Sequence, residues 1–337
     1  MALAPLVVVL DVLGAASSLV IFLLAAVALI PLAWLIGEAT ENAAYYTGPG
    51  VGGLLNATFG NAPELIIALI AISDGLTEVV RASLIGSVVG NLMLVLGFAM
   101  LFGRTGEIDR RSAAISLGLV AFATLLVFIA SVPGFHGDPD RRSLAVLALP
   151  IAAALVLVRV PVVRRALRRQ RAEYAQAGPS GDAGWSLRRA LAMLALATVG
   201  TAFVTNALVG SLEEFAREAG LSEFFVAVVI VAIVGNAAEH GSAVLLARRG
   251  QIQLATEIAL SSSAQVAGLV VPLVALISWT SDPLTLSFRP IELGALVVAT
   301  TLPAAALAGG RTTRVGGAIL LGAYAGLVVA FFLSGNR

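Results

Sequence analysis

Ten long apolar runs dominate this chain, at residues 17–43, 51–74, 82–103, 112–134, 143–160, 188–210, 224–247, 252–280, 290–309 and 314–334. A run of about twenty such residues crosses the ~30 Å hydrocarbon core of a bilayer as an α-helix. A soluble fold has no interior large enough for ten of them. Composition agrees: 59% of the 337 residues are hydrophobic and 12% charged, with a mean hydropathy of +0.97. So few charges cannot cover a soluble surface. An outer-membrane barrel would instead show short alternating strands. The expected fold is an all-α polytopic membrane protein. An eleventh stretch, 3–14, is short and carries Asp11. MALAPLVVVLDVLGA has no charged n-region, so it reads as a short first span and not as a cleaved signal.

All 21 basic residues are Arg. With eleven spans and the N-terminus inside, the inside loops hold Arg104, Arg110 and Arg111, and then the cluster from Arg159 to Arg189. They also hold Arg248, Arg249, Arg311 and Arg314. The fifteen inside against six outside set the orientation. The polar stretch RVPVVRRALRRQRAEYAQAGPSGDAGW (159–185) splits the chain into similar halves. It reads as a cytoplasmic linker touching lipid headgroups, or as a regulatory segment. The expected organisation is a first helix within 1–15, a first repeat over 16–160, a linker over 161–187 and a second repeat over 188–337. The expected location is the cell (inner) membrane. A net charge of +1 leaves no nucleic-acid footprint, and the absence of Cys excludes disulfides and thiolate metal sites.

The halves repeat one another. GNAPEL (60–65) recurs as GNAAEH (235–240), an offset of 175 residues, and the same offset places Ser87 on Ser262. LIGEATE (35–41) matches LVGSLEE (208–214) after a two-residue slip, pairing Glu41 with Glu214. From one GNA motif to the other the count advances by five spans, and an odd advance inserts the second copy upside down. Inverted repeats are a signature of secondary transporters, whose substrate site lies near the midplane between the copies.

Glu64 and Glu239 each interrupt an apolar span, where a carboxylate costs several kcal/mol unless paired, protonated or hydrated. Gly60 and Gly235 weaken the helix beside them, Asn61 and Asn236 can bond the freed backbone, and Pro63 suits the first turn of a renewed helix. Two carboxylates, backbone carbonyls and hydroxyl or amide oxygens form an all-oxygen set. That set suits Ca²⁺, which takes 6–8 oxygens, better than a soft metal. Protons and Ca²⁺ would compete for the same two acids, and this competition is itself an exchange mechanism.

GGLLNATFGNAPELIIALIA (52–71) with SLIGSVVGNLMLVLG (83–97), and IVGNAAEH (233–240) with IALSSSAQV (258–266), closely resemble the two cation-exchanger repeats of the CAX family. These are Ca²⁺/H⁺ antiporters of the calcium/cation antiporter superfamily. The resemblance implies eleven spans, a peripheral first helix, two inverted five-helix repeats, and Glu64 and Glu239 as the Ca²⁺ and proton carboxylates. It also implies supporting roles for Asn61, Asn236, Ser87, Ser262 and Gln265. Three features depart from the family pattern. The linker is basic where eukaryotic members carry an acidic helix. Asn206 stands near an acid of many prokaryotic relatives, and Ser261 replaces a usual Gly.

Other residues keep two readings each. His240 is a proton relay beside Glu239 or a buried hydrogen bond fixing the broken helix. Glu257 lines a cytoplasmic vestibule or pairs with an Arg. Glu41 or Glu38 is the entry acid on one face, and Glu214 on the other, with Glu213 a close competitor. His136 reads as a solvated loop residue. No cofactor is expected; Ca²⁺ is substrate, H⁺ the counter-ion, and the bilayer the solvent. The competing functions are a Na⁺/Ca²⁺ exchanger, which would want hydroxyl-rich sites where Asn61 and Asn236 stand, and an intramembrane enzyme using paired acids. The enzyme is disfavoured because no Arg lies within eight residues of Glu64 or Glu239.

Overall fold

A computed structural model describes residues 3–135, 142–177, 184–280 and 283–335. Thirteen helices follow in chain order: α1 Leu3–Val12, α2 Ser18–Phe59, α3 Ala62–Ser73, α4 Thr77–Phe102, α5 Arg110–Ser131, α6 Arg142–Ala177, α7 Leu187–Gly210, α8 Leu212–Ala219, α9 Glu223–Gly235, α10 Ala237–Arg248, α11 Ile252–Ile277, α12 Pro290–Leu307 and α13 Arg314–Gly335. Among the described residues the only β pairing is an isolated bridge between Glu107 and Arg311. His136 and residues 178–183 of the expected linker lie outside the described residues.

Eight helices are long and apolar enough to cross a membrane unaided. The remaining apolar stretches are interrupted. Helix α2 kinks at Gly48, whose φ of 71° and ψ of 176° suit only glycine, and its last turns meet α3 across a break at Gly60–Asn61. Helices α9 and α10 meet across a break at Asn236. Counting each interrupted pair as one span, together with α1, reaches the expected eleven. Helix α1 has 10 residues, roughly 15 Å of helix, about half a bilayer core.

The inverted repeat is visible in packing. Helix α3 packs on α4 as α10 packs on α11, α4 packs on α12 as α11 packs on α5, and α4 meets α13 as α11 meets α6. Helices α2 and α7 pack on each other. The repeat extends to helix type: α4 loosens into a π-helix at Gly90–Val95 and α11 at Val266–Val270, one repeat offset apart. Helix α4 is central, with 83% of its apolar window buried, against 17% for α6 at the periphery.

Two boundaries differ from the sequence reading. The basic half of the 161–187 stretch continues α6 as helix to Ala177, because a run of Arg and Ala without a glycine offers nothing to stop it. The second repeat starts its broken span with an extra helix, α8, which turns through 110° into α9 and buries Leu212, Phe215 and Ala216.

The tightest approach in the core joins α4 to α9. A Cβ on Gly86 would overlap the Val228 carbonyl and lie 2.7 Å from the Ala232 Cβ. Gly86→Ala should therefore cost on the order of 3 kcal/mol through overpacking. A thermal unfolding midpoint in detergent equal to wild type would contradict this contact.

Candidate functional site

Both breaks have the same geometry. Asn61 (φ −113°, ψ 25°) and Asn236 (φ −95°, ψ 7°) leave the helical region, and α3 and α10 restart at the next residue. Glu64 and Glu239 thereby fall in the first turns of the renewed helices. There, free peptide N–H groups and the helix dipole favour negative charge. Proline at position 63 costs no hydrogen bond in that first turn.

The side chains then pair across the two halves. The Asn61 amide donates to Gln265 Oε1 at 2.7 Å, joining α3 to the π-helical region of α11. Asn236 Nδ2 donates to Ser87 Oγ at 2.8 Å and to the Ala232 carbonyl at 2.9 Å. Asn91 Nδ2 donates to Asn236 Oδ1 and to Ser262 Oγ, both at 3.0 Å. The Ser262 hydroxyl in turn donates to Glu239 Oε2. Each GNA asparagine is thus held by an amide from the opposite repeat, Gln265 for Asn61 and Asn91 for Asn236. Glu64, 5% exposed, lies close enough to Glu239 for the two charges to interact. It lines a small cavity of about 10 Å³ with Ile67, Ser83, Ser87, Val231 and Gly235.

Three acceptor oxygens here have no donor: Glu64 Oε2, Asn61 Oδ1 and Asn91 Oδ1. A buried acceptor without a donor is costly, and a convergent set of them is what a hard cation needs. Among the described residues no group of three or more His, Cys, Asp or Glu side chains gathers in one place. Negative charge at the site comes from two carboxylates, with neutral amide and hydroxyl oxygens beside them.

Seven expected residues therefore come together: Glu64, Glu239, Asn61, Asn236, Ser87, Ser262 and Gln265. His240 is adjacent in sequence, but its Nε2 is buried without a partner, so that atom does not anchor the break. The vestibule acids stand apart, and none of them hydrogen-bonds to this cluster. Glu38 and Glu41 are exposed on α2. Glu257 accepts from Gln253, four residues before it, at 3.3 Å, and among the described residues no Arg pairs with it. Glu214 is engaged on both oxygens, by Arg217 at 2.8 Å and by the Ser18 hydroxyl at 2.5 Å. Together with Phe22 stacked on Phe215, 4.0 Å between centroids, it ties α8 to the start of α2. Asn206 points to an exposed face of α7.

Sequence reasoning missed Asn91, which is fully buried. The signal was present: a lone amide in the apolar run SLIGSVVGNLMLVLG needs a partner within the membrane. Also missed was a partly buried charge cluster at the N-terminal ends of α4 and α12. There Arg81 bonds Thr285 Oγ1 at 3.0 Å, Arg289 pairs with Glu78 at 2.7 Å, and Glu292 accepts the Arg289 backbone N–H at 2.7 Å.

Fold and site together define an inverted-repeat helical membrane protein with an acidic, all-oxygen centre. The chain belongs to the sodium/calcium exchanger protein family, which it matches over residues 17–160 and again over 189–333. It is 38% identical to the Ca²⁺/H⁺ antiporter ChaA of Bacillus subtilis, an alignment covering 94% of this chain and 93% of that protein. It is 35% identical to a Ca²⁺/H⁺ antiporter of Synechocystis, covering 93% and 90%. The structure of native YfkE superposes with a TM-score of 0.82 at 35% identity, covering 98% of both chains. The H⁺/Ca²⁺ exchanger CAX shares the fold, with a TM-score of 0.77 at 16% identity, covering 99% of this chain and 90% of that one.

Asn91→Ala removes the donor shared by Asn236 and Ser262 and leaves both acceptors stranded. The expected cost is about 1–3 kcal/mol of stability, with cation transport reduced by about tenfold or more. Transport at the wild-type rate in reconstituted vesicles would show that the bridge is dispensable.

Proposed function

We propose that this chain exchanges Ca²⁺ for H⁺ across the cell (inner) membrane by alternating access, with Glu64 and Glu239 taking Ca²⁺ and protons in turn. The observation that carries this reading is the meeting of two acids from inverted half-helices, with Glu64 Oε2 and the amide oxygens of Asn61 and Asn91 all lacking a donor. Ca²⁺ bound there would take the two carboxylates together with Asn61 and Asn91 oxygens, while Ser87, Ser262, Asn236 and Gln265 hold the amides in place. With Ca²⁺ absent, protons neutralise the acids, which lets the empty carrier reorient without isolated charge in hydrocarbon. His240 sits where it can pass a proton to Glu239. The names of the relatives support the choice of ions.

The repeats run over 16–160 and 188–337, preceded by a short first helix within 1–15 and joined by a basic cytoplasmic linker over 161–187. In this orientation Glu38, Glu41 and Glu257 lie toward the cytoplasm, where they would draw Ca²⁺ to the site. Glu214 lies toward the exterior, where its bonds to Ser18 and Arg217 leave it a lesser share in recruiting ions. No cofactor is needed, since the driving force is the proton gradient.

A second reading, Na⁺/Ca²⁺ exchange, has the family description in its favour. Against it, amides and not hydroxyls occupy the two break positions. Proton-driven Ca²⁺ uptake in everted vesicles, with and without Na⁺, tests the choice. Uptake that requires Na⁺ and ignores the proton gradient would move the assignment.

Glu64→Gln or Glu239→Gln keeps shape and loses the titratable charge, so each should abolish Ca²⁺/H⁺ exchange in a folded protein. Near-normal exchange by either variant would remove that carboxylate from the centre.

Protons and Ca²⁺ on shared carboxylates also set the sign of the pH dependence. Lower pH fills the acids with protons, so apparent Ca²⁺ affinity should fall, about tenfold per pH unit for each proton displaced. Calorimetry in buffers of different ionisation enthalpy should count more than one proton released per Ca²⁺. A count near zero would contradict the shared site.

A further inference from the structure

Helix α7 carries two hydroxyls that no hydrogen bond accounts for. Thr201 and Thr205 are fully buried, and neither Oγ1 has a partner. Buried threonines elsewhere in these helices bond back to the carbonyl four residues earlier. Thr40 does so to Ile36, Thr256 to Ile252 and Thr300 to Leu296, at 2.7–2.8 Å. Thr198, on α7 itself, does the same to Leu194 at 2.7 Å. The local bond is therefore available to a threonine on this helix, and Thr201 and Thr205 forgo it. A buried hydroxyl without a partner is costly, and here the cost is incurred twice, about one turn apart.

Their position explains what they could serve. Leu194 and Ala197 pack against Ile36 and Ala39 of α2 and against Ala62, the residue just past the first break. Thr201 and Thr205 follow Ala197 by four and eight residues. They continue the same stripe about 6 and 12 Å further from the linker. Gly200 lies against Leu32, which keeps α2 alongside at this level. The pair thus sits where α7 packs on α2 and α3, between the level of the site and the exterior end. With the two-residue slip that aligns α2 with α7, the corresponding positions of α2 are Ala28 and Leu32, and neither has a hydroxyl. The feature belongs to one face of the membrane only.

We propose that Thr201 and Thr205 line the exterior half of the ion path and contact hydrated Ca²⁺ when that side opens. The inference rests on the alternating-access reading above. A carrier that opens to each side in turn has a second state, and the hydroxyls stranded here gain their partners in it. Hydroxyl oxygens are suitable weak ligands or water acceptors for a hard cation in transit: they orient it without holding it.

The chain contains no Cys, so Thr201→Cys and Thr205→Cys report accessibility without background. In oriented proteoliposomes a cationic, membrane-impermeant methanethiosulfonate reagent should modify both from the exterior and spare them from the linker side. Phe203→Cys, on an exposed apolar face of α7, should stay unmodified. The double variant Thr201→Val, Thr205→Val keeps the shape of both side chains. It should raise the half-saturating Ca²⁺ concentration at the exterior by about three- to tenfold and leave the linker side unchanged. Serine at both positions should restore the wild-type value. No exterior modification, equal modification from both sides, or an equal change on both faces would each overturn the proposal. Absence of Ca²⁺-driven proton movement in wild-type vesicles would instead sink the Ca²⁺/H⁺ reading, while the sidedness of thiol modification stands or falls separately.

Discussion

Carboxylates and unwound backbone are expensive in hydrocarbon, and the whole centre of this protein is built to contain that expense. Two helices break, at Gly60–Asn61 and at Asn236, and each break leaves peptide groups and a glutamate inside the helical bundle. The structure meets the cost by crossing the halves. Asn61 is held by Gln265 of the other repeat, and Asn236 by Asn91. Neither half can satisfy its own break, so the two repeats depend on each other for their most polar residues. That dependence is what brings Glu64 and Glu239 into one place.

The same crossing shapes the chemistry. Amide nitrogens are consumed in holding the network together, which leaves amide and carboxylate oxygens without donors. Three of those oxygens lack donors, an arrangement that suits a hard cation and penalises an empty, fully ionised site. Proton occupancy relieves the penalty in one way and a divalent cation in another. In the proposed function, exchange would follow from competition for one set of atoms, with no separate coupling device. Close packing supports this arrangement: Gly86 lets α4 approach α9 nearly to backbone contact, and π-helical segments in α4 and α11 bring Asn91 and Gln265 to the breaks.

Much of this was legible in the residues before any coordinates. Apolar length counted the spans, because the bilayer core has a fixed thickness. The 175-residue offset between GNAPEL and GNAAEH exposed the repeat, and an advance of five in the span count, an odd number, gave its inversion. The acids followed from the cost of placing carboxylates in a membrane, the asparagines from the helix breaks beside them, Ser87 and Ser262 from the shared offset, and Gln265 from the resemblance to the CAX family. The reading was weakest at the ends of helices. Glu214 looked like a free vestibule acid, yet it is bonded to Ser18 at the start of α2, a partner 196 residues away. The basic stretch after α6 runs on as helix to Ala177.

By itself, then, the sequence determined the quantities that depend on local composition and spacing. These are the membrane-spanning class, the number of spans, the inverted duplication and the identity of the polar residues that must lie at its centre. Only the tertiary structure decided which of those residues bond to which. It joined Asn91 to Asn236, tied Glu214 to α2 and left the Thr201 and Thr205 hydroxyls unpartnered. The reason is physical. Burial and periodicity are properties of one helix and can be read along it. A hydrogen bond between helices depends on which faces meet and at what height, and the packing of the whole bundle sets both.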